Sequence, residues 1–247
     1  MSINIPSEFL PTSTFTCGPS QGHPDIKEAK LSDTGFERSH RSADITKKGL
    51  IKEATDNLRE LMRIPKDYVV MFYHGGATPA MDAIAWNLTK DSISGLRFGS
   101  FSNLWGKKIG NALDSRVKKE FYDAKEEGTF PDNDPNWNSS LVILTPNETS
   151  MGVQTPNDYL KKAWKEKGKD TLIAWDCTSC AGGRDLPQEE YDALVFSLQK
   201  CFGAAGGTSV LVLSPKAVDR VMEVKKMREI PFSLDLEEPI DRASNKY

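Results

Sequence analysis

Tyr68-Val-Val-Met-Phe-Tyr73 is followed by His74-Gly-Gly-Ala-Thr-Pro79 and then by a helical stretch from Ala80 to Leu88, which gives the order strand, glycine loop, helix. The unit recurs downstream. Ser140-Leu-Val-Ile-Leu144 precedes a loop and a predicted helix from Asn157 to Lys167, and Thr171-Leu-Ile-Ala-Trp175 and Ala193-Leu-Val-Phe-Ser-Leu198 read as further strands. Upstream, Leu50, Ile51, Ala54, Leu58, Leu61 and Met62 recur at three- and four-residue intervals within Thr46 to Arg63, an amphipathic helix that Pro65 stops. Strands that are apolar throughout suit a sheet covered by helices on both faces, so the fold class is α/β with a mostly parallel sheet. Ser209-Val-Leu-Val-Leu213 follows its predecessor after only a glycine-rich loop, Gly203-Ala-Ala-Gly-Gly-Thr208, and is therefore expected to run antiparallel to it. A strand, and not a helix, after those glycines argues against a dinucleotide or P-loop site there.

The chain has 247 residues, 27% of them charged, with Lys and Arg totalling 32 against 35 Asp and Glu. A net charge of -3 offers no excess of positive charge to phosphate backbones, so nucleic acid is a poor partner. Polar residues interrupt every apolar run well before the ~18 residues that a membrane helix needs. Met1 to Glu8 has neither a basic nor an apolar signal region, which predicts a cytoplasmic protein. The four cysteines include Cys177 and Cys180 at the spacing of a zinc half-site, but Cys17 and Cys201 do not complete it, so all are expected to be small buried thiols and no metal is predicted. Lys161 to Lys169 reads as the solvated face and end of a helix.

Three strand ends place polar groups on the side of the sheet where such folds bind ligands: Thr145-Pro-Asn-Glu-Thr149, Asp176-Cys-Thr-Ser179 and Gln199-Lys200. A lysine at the end of a buried strand suits an amine nucleophile able to form a Schiff base. Asp176, directly after Leu-Ile-Ala-Trp, could hold a ring N–H in its charged form. Trp105 offers a flat ring for stacking. In His74-Gly-Gly-Ala-Thr-Pro79 the glycines let backbone N–H groups converge, and Thr78 with Pro79 opens a helix whose positive end favours a phosphate.

These residues, in this order, resemble the class V group of fold-type I pyridoxal-phosphate enzymes, and within it the phosphoserine aminotransferases. The carriers are Cys17-Gly-Pro19, Ser39-His-Arg41, His74-Gly-Gly76, Trp105, Pro146-Asn-Glu-Thr149 with Gly152, Asp176-Cys-Thr-Ser179, and Gln199-Lys200 before Phe202-Gly203. The resemblance implies that Lys200 forms the Schiff base with pyridoxal 5'-phosphate and shuttles the proton between substrate and cofactor, while Asp176 pairs with the pyridine nitrogen. It also implies that Trp105 stacks on the ring, Thr149 bonds the phenolic oxygen, and Ala77, Thr78 and Gln199 hold the cofactor phosphate. His40 and Arg41 match the group's contacts to the substrate's phosphate and carboxylate, for which a guanidinium fork is well shaped.

The implied reaction is transamination between phosphoserine and 2-oxoglutarate in serine biosynthesis, with 4-phosphohydroxythreonine in pyridoxine biosynthesis as a further substrate and a homodimer as the working form. Other readings are a glyoxylate aminotransferase or cysteine desulfurase of the same group, or a non-catalytic module that binds the cofactor or dimerises. Ala77-Thr78 departs from the Gly-Arg of many relatives, which marks a divergent phosphate cup. Residues 1–247 thus read as a cofactor-binding large domain with an N-terminal segment 1–45, and the relatives' small C-terminal domain is expected to be absent from this chain.

Overall fold

The computed structural model describes Ser20, residues 49–109, Leu113 and residues 115–246. His40 and Arg41, with Cys17 to Pro19, lie outside the described residues. In chain order the elements are α1 (Leu50–Met62), β1 (Val69–His74), α2 (Ala77–Leu88), β2 (Ser92–Arg97), α3 (Ser100–Asn103) running on into a π-helical segment (Leu104–Ile109), β3 (Lys118–Asp123), β4 (Leu141–Leu144), the short β5 (Asn147–Glu148) and β6 (Val153–Gln154), α4 (Asn157–Glu166), β7 (Leu172–Asp176), β8 (Ala193–Ser197), β9 (Thr208–Leu213), α5 (Pro215–Met227) and α6 (Glu237–Lys246).

Seven strands form one sheet in the order β1-β9-β8-β7-β4-β2-β3. Every neighbouring pair from β8 to β3 is parallel, and β9 is antiparallel to both β8 and β1. The mixed sheet is the one the sequence predicts, including the reversal after the glycine-rich loop. Alternate side chains of each central strand enter two separate cores. Met71, Leu141, Ile143, Leu172, Ala174, Ala193, Val195, Leu211 and Leu213 pack on one face with α2, α5 and α6. Val70, Val142, Leu144, Ile173, Trp175, Leu194, Phe196, Val210 and Val212 fill the other with residues of α1 and α4. Burial on both faces is what makes these strands apolar without alternation.

Helix α2 lies across β7, β8, β9 and β1 and is in turn covered by α5. It is correspondingly apolar on most of its circumference, with Ala80, Met81, Ala83, Ile84, Ala85 and Leu88 all buried. It starts at Ala77, three residues before the sequence expectation, because the first turn of a helix has no internal acceptors for its N–H groups and so tolerates Pro79. Asn87, also buried, donates to Leu234 O and accepts from Leu236 N–H, which ties the approach to α6 onto α2.

The sequence pattern announced none of β2, β3, β5 and β6, nor α3, α5 and α6. Strand β2, Ser-Ile-Ser-Gly-Leu-Arg, has serine and glycine where an apolar run would announce it, and β3, Lys-Lys-Glu-Phe-Tyr-Asp, is a polar edge strand. Gly95 is required by close approach: a Cβ there would lie 2.6 Å from Ile143 Cγ1 and 2.9 Å from Ile143 O on the neighbouring β4. Gly95→Ala should therefore destabilise the fold by about 1–3 kcal/mol through overpacking. A urea midpoint unchanged from the parent would contradict this close fit.

Candidate functional site

The carboxyl ends of the parallel strands and the start of α2 enclose a cavity of about 280 Å³. Its wall includes Ala77, Thr78, Thr149, Asp176, Gln199 and Lys200, six of the residues expected from the sequence, brought together from four separate stretches of chain. Larger clefts occur elsewhere, such as one of about 450 Å³ between β1 and α6 and one of about 640 Å³ beside Lys167 and Asp192. The first has no lysine in its wall among the described residues, and in the second the buried Asp192 is already paired with Lys167 at 2.6 Å, which is why the smaller cavity, with strand-end polar groups around Lys200 and Asp176, is the candidate site.

Asp176 ends β7 and is only 4% exposed. Its Oδ1 accepts from the Thr178 N–H at 3.0 Å and the Thr178 hydroxyl at 2.6 Å, and its Oδ2 accepts from Trp105 Nε1 at 3.3 Å. Burial raises its pKa above the ordinary carboxylate value; the Thr178 and Trp105 hydrogen bonds counter this, while the nearby Glu148 charge adds to the rise. Among the described residues no cation pairs with Asp176, so a buried carboxylate faces the cavity without a positive partner.

Lys200 lies three residues past the end of β8, in the turn that leads to β9. The strand ends at Ser197 because Leu198 closes the hairpin: its N–H donates to Thr208 O and its carbonyl accepts from Ala204 N–H. Gly203, at φ 60°, donates back to Lys200 O and shapes the turn, and Ser20 N–H donates to Gln199 O at 2.8 Å. Gln199 Oε1 is buried at the cavity wall and has no hydrogen-bond partner among the described residues. At the opposite side Ala77 N–H, in the first turn of α2, donates to Ser197 Oγ at 2.7 Å.

Trp105 departs from the expectation. It is 1% exposed, packs into the α2-side core and is not among the residues that line the cavity. The helical segment that carries it turns Phe101 and Leu104 to the cavity instead and sends the indole inward to Asp176. The sequence reading also passed over Thr178, Ser179 and Ser197, which line the cavity. Thr178 and Ser179 sat inside a quoted motif, whereas nothing local marked Ser197. Cys177 and Cys180 are buried as expected, but Cys201 is exposed in the Lys200 turn.

Residues 30–231 match the family described as Aminotransferase class-V. The chain belongs to this family. It is 31% identical over 244 residues to a phosphoserine aminotransferase of Rhodococcus opacus, covering 97% of this chain and 63% of that relative. It is 32% identical over 222 residues to the phosphoserine aminotransferase of Methanosarcina mazei, covering 87% and 56%. Among solved structures, a phosphoserine aminotransferase from Cytophaga hutchinsonii superposes with a TM-score of 0.76 at 27% identity, over 93% of this chain and 64% of that one. A ureidoglycine-glyoxylate aminotransferase from Bacillus subtilis shares the fold at a TM-score of 0.72 and 18% identity, over 95% and 62%. The chain thus spans less than two thirds of the length of these relatives.

A raised Asp176 pKa has a sign that can be tested on the cofactor-free family member. With the folded pKa above the unfolded one, the native state holds more protons in the interval between them, so stability falls as pH rises through that interval. Asp176→Asn removes this term. The parent should lose stability relative to the variant from about pH 4 upward, read by urea denaturation at several pH values. Parallel stability curves for the two proteins would argue against a burdened carboxylate.

Proposed function

We propose that this domain binds pyridoxal 5'-phosphate in the 280 Å³ cavity and serves transamination between phosphoserine and 2-oxoglutarate. The observation that carries the reading is the pairing across one cavity of Lys200 with Asp176, a buried carboxylate that has no ion-pair partner among the described residues. The donor set fits such a cofactor. An open position on Asp176 suits a pyridinium N–H, and Gln199 Oε1, buried and without a partner among the described residues, is a second open acceptor in the same wall. The Thr78 N–H and hydroxyl at the start of α2 suit a phosphate, while the Ala77 N–H there is taken by Ser197 Oγ. When bound, the cofactor supplies an electron sink for the charge that develops at the substrate Cα.

The chain's own contribution follows from placement. Lys200 would hold the cofactor through its amine and, once released by the incoming substrate amine, would take and return the substrate Cα proton. Asp176, held by Thr178 and Trp105, keeps the ring N–H charged. Thr149 and Asn147, in the wall beside Asp176, offer donors to the ring's oxygen. Phe101, Leu104 and Met81 supply the apolar part of the wall and exclude water from the ring. His40 and Arg41 are proposed to bind the substrate's phosphate and carboxylate. A homodimer, a cytoplasmic location, action on 4-phosphohydroxythreonine and a role for this chain as the large domain of a longer enzyme belong to the same reading. Among the described residues no helix is long and apolar enough to cross a membrane.

Borohydride reduction of the protein mixed with pyridoxal 5'-phosphate should attach the cofactor to Lys200, located by peptide mass, and Lys200→Ala should abolish both the adduct and amino transfer from phosphoserine. An adduct on another lysine would refute the assignment. Arg41→Lys should reduce turnover of phosphoserine more than that of an unphosphorylated amino donor, because an ammonium cannot reproduce a two-pronged contact to an oxyanion. Equal losses with both donors would remove Arg41 from the phosphate site.

A further inference from the structure

Glu148 is fully buried and outside the cavity wall, yet it joins two segments that build it. Its Oε2 accepts from Ser102 N–H at 2.7 Å, and its Oε1 accepts from Ser150 N–H at 3.2 Å and from the Ser150 hydroxyl at 2.7 Å. Ser150 Oγ accepts in turn from Ser100 N–H at 2.8 Å. Ser100 and Ser102 are in the first turn of the helical run Ser100–Ile109, where backbone N–H groups have no internal acceptor, and the preceding Gly99 has no side chain with which to cap them. The carboxylate therefore acts as a cap delivered from the short strand β5, 46 residues along the chain. Gly99 makes room for it: a Cβ there would lie 2.4 Å from Glu148 Cδ. Downstream in the same run Phe101 and Leu104 face the cavity and Trp105 donates to Asp176. On the other side of Glu148 the next residue is Thr149, also in the wall.

We propose that Glu148 is a positioning residue for the cofactor cavity: by capping the run at Ser102 and, through Ser150, at Ser100, it holds Trp105 against Asp176 and so aims the remaining acceptor of Asp176 at the bound ring. This rests on the cofactor reading given above. No fixed cation could do the same, since the partners to be satisfied are backbone donors, and a neutral amide offers only one acceptor atom where the carboxylate offers two.

Glu148→Gln keeps the shape and loses one of the two acceptors. In the full chain labelled with 15N-tryptophan, five indole N–H signals are expected, one per tryptophan, and the Trp105 signal is the one missing from Trp105→Phe. That signal should shift in Glu148→Gln by more than the other four. Pyridoxal-phosphate affinity, measured by equilibrium dialysis, should weaken about tenfold or more, the size of a lost charge-assisted hydrogen bond. In the Trp105→Phe background the same substitution should weaken it much less, because the two residues act in series. If Glu148→Gln does not fold, as judged by circular dichroism, Ser150→Ala takes its place; it keeps the carboxylate but breaks the bridge to Ser100, and it should move the Trp105 signal in the same direction. A Trp105 signal unmoved in the folded variant, or equal weakening with and without Trp105, overturns the proposal. If the parent binds no pyridoxal phosphate, the cofactor reading fails, and the indole signal alone decides whether Glu148 holds Trp105 in place.

Discussion

A strand covered on both faces by helices has nowhere along its length to put a charge. Desolvating an unpaired charge in the interior costs several kcal/mol or more, so charged side chains are confined to strand ends and to the turns beyond them. In this protein that constraint shapes the whole upper rim of the sheet. Strands β7 and β8 are buried at every position, and their chemistry appears only as they stop, at Asp176, and just past the stop, at Gln199 and Lys200. The polar residues tolerated within the strands are small hydroxyls that find a partner at once. Ser94 accepts from Asn136 N–H at 2.9 Å, and Ser209 donates to Tyr73 O at 3.5 Å.

Parallel strands multiply this effect because their carboxyl ends share one edge, while the single antiparallel strand β9 contributes its start to that edge. The Lys200 turn is thereby brought back beside the start of α2, and the Ser197 hydroxyl bonds directly to Ala77 N–H. Helix α2 is held firmly enough to serve as one wall because it is packed from both sides, between the sheet and α5. Its all-round apolar surface and its role at the site are thus two results of the same placement.

Asp176 is the point at which the rim departs from a purely structural arrangement. Three donors, two from Thr178 and one from Trp105, steady its carboxylate without neutralising it. Thr178 is local, two residues along the chain, whereas Trp105 arrives from 71 residues away on a segment whose first turn is capped by Glu148. A carboxylate buried and oriented, with no cation paired to it among the described residues, is held at the expense of stability, as functional sites commonly are.

Ala77 entered only through the family resemblance, whereas the residues read alone carried the α/β class, the order of the central strands along the chain, the reversal at β9, and the polar candidates Lys200, Asp176, Thr149, Thr78 and Gln199. These were legible because double burial writes itself as uninterrupted apolar runs, and because the polar residues that end such runs are conspicuous against them. The rest came from contacts between residues far apart in the chain. The edge strand β3 and the serine- and glycine-bearing β2 depend on neighbours for their conformation and carry no local pattern of their own. Trp105 was picked out as an aromatic ring, but which face of its helical run meets the cavity is set by the cap at the start of that run, and this turns the indole to the core and its N–H to Asp176. Glu148, Thr178 and Ser197 act through hydrogen bonds whose partners, apart from the nearby Asp176 and Ser150, lie far away in the chain, and a bond between residues 46 or 120 positions apart leaves no trace in the local sequence around either of them.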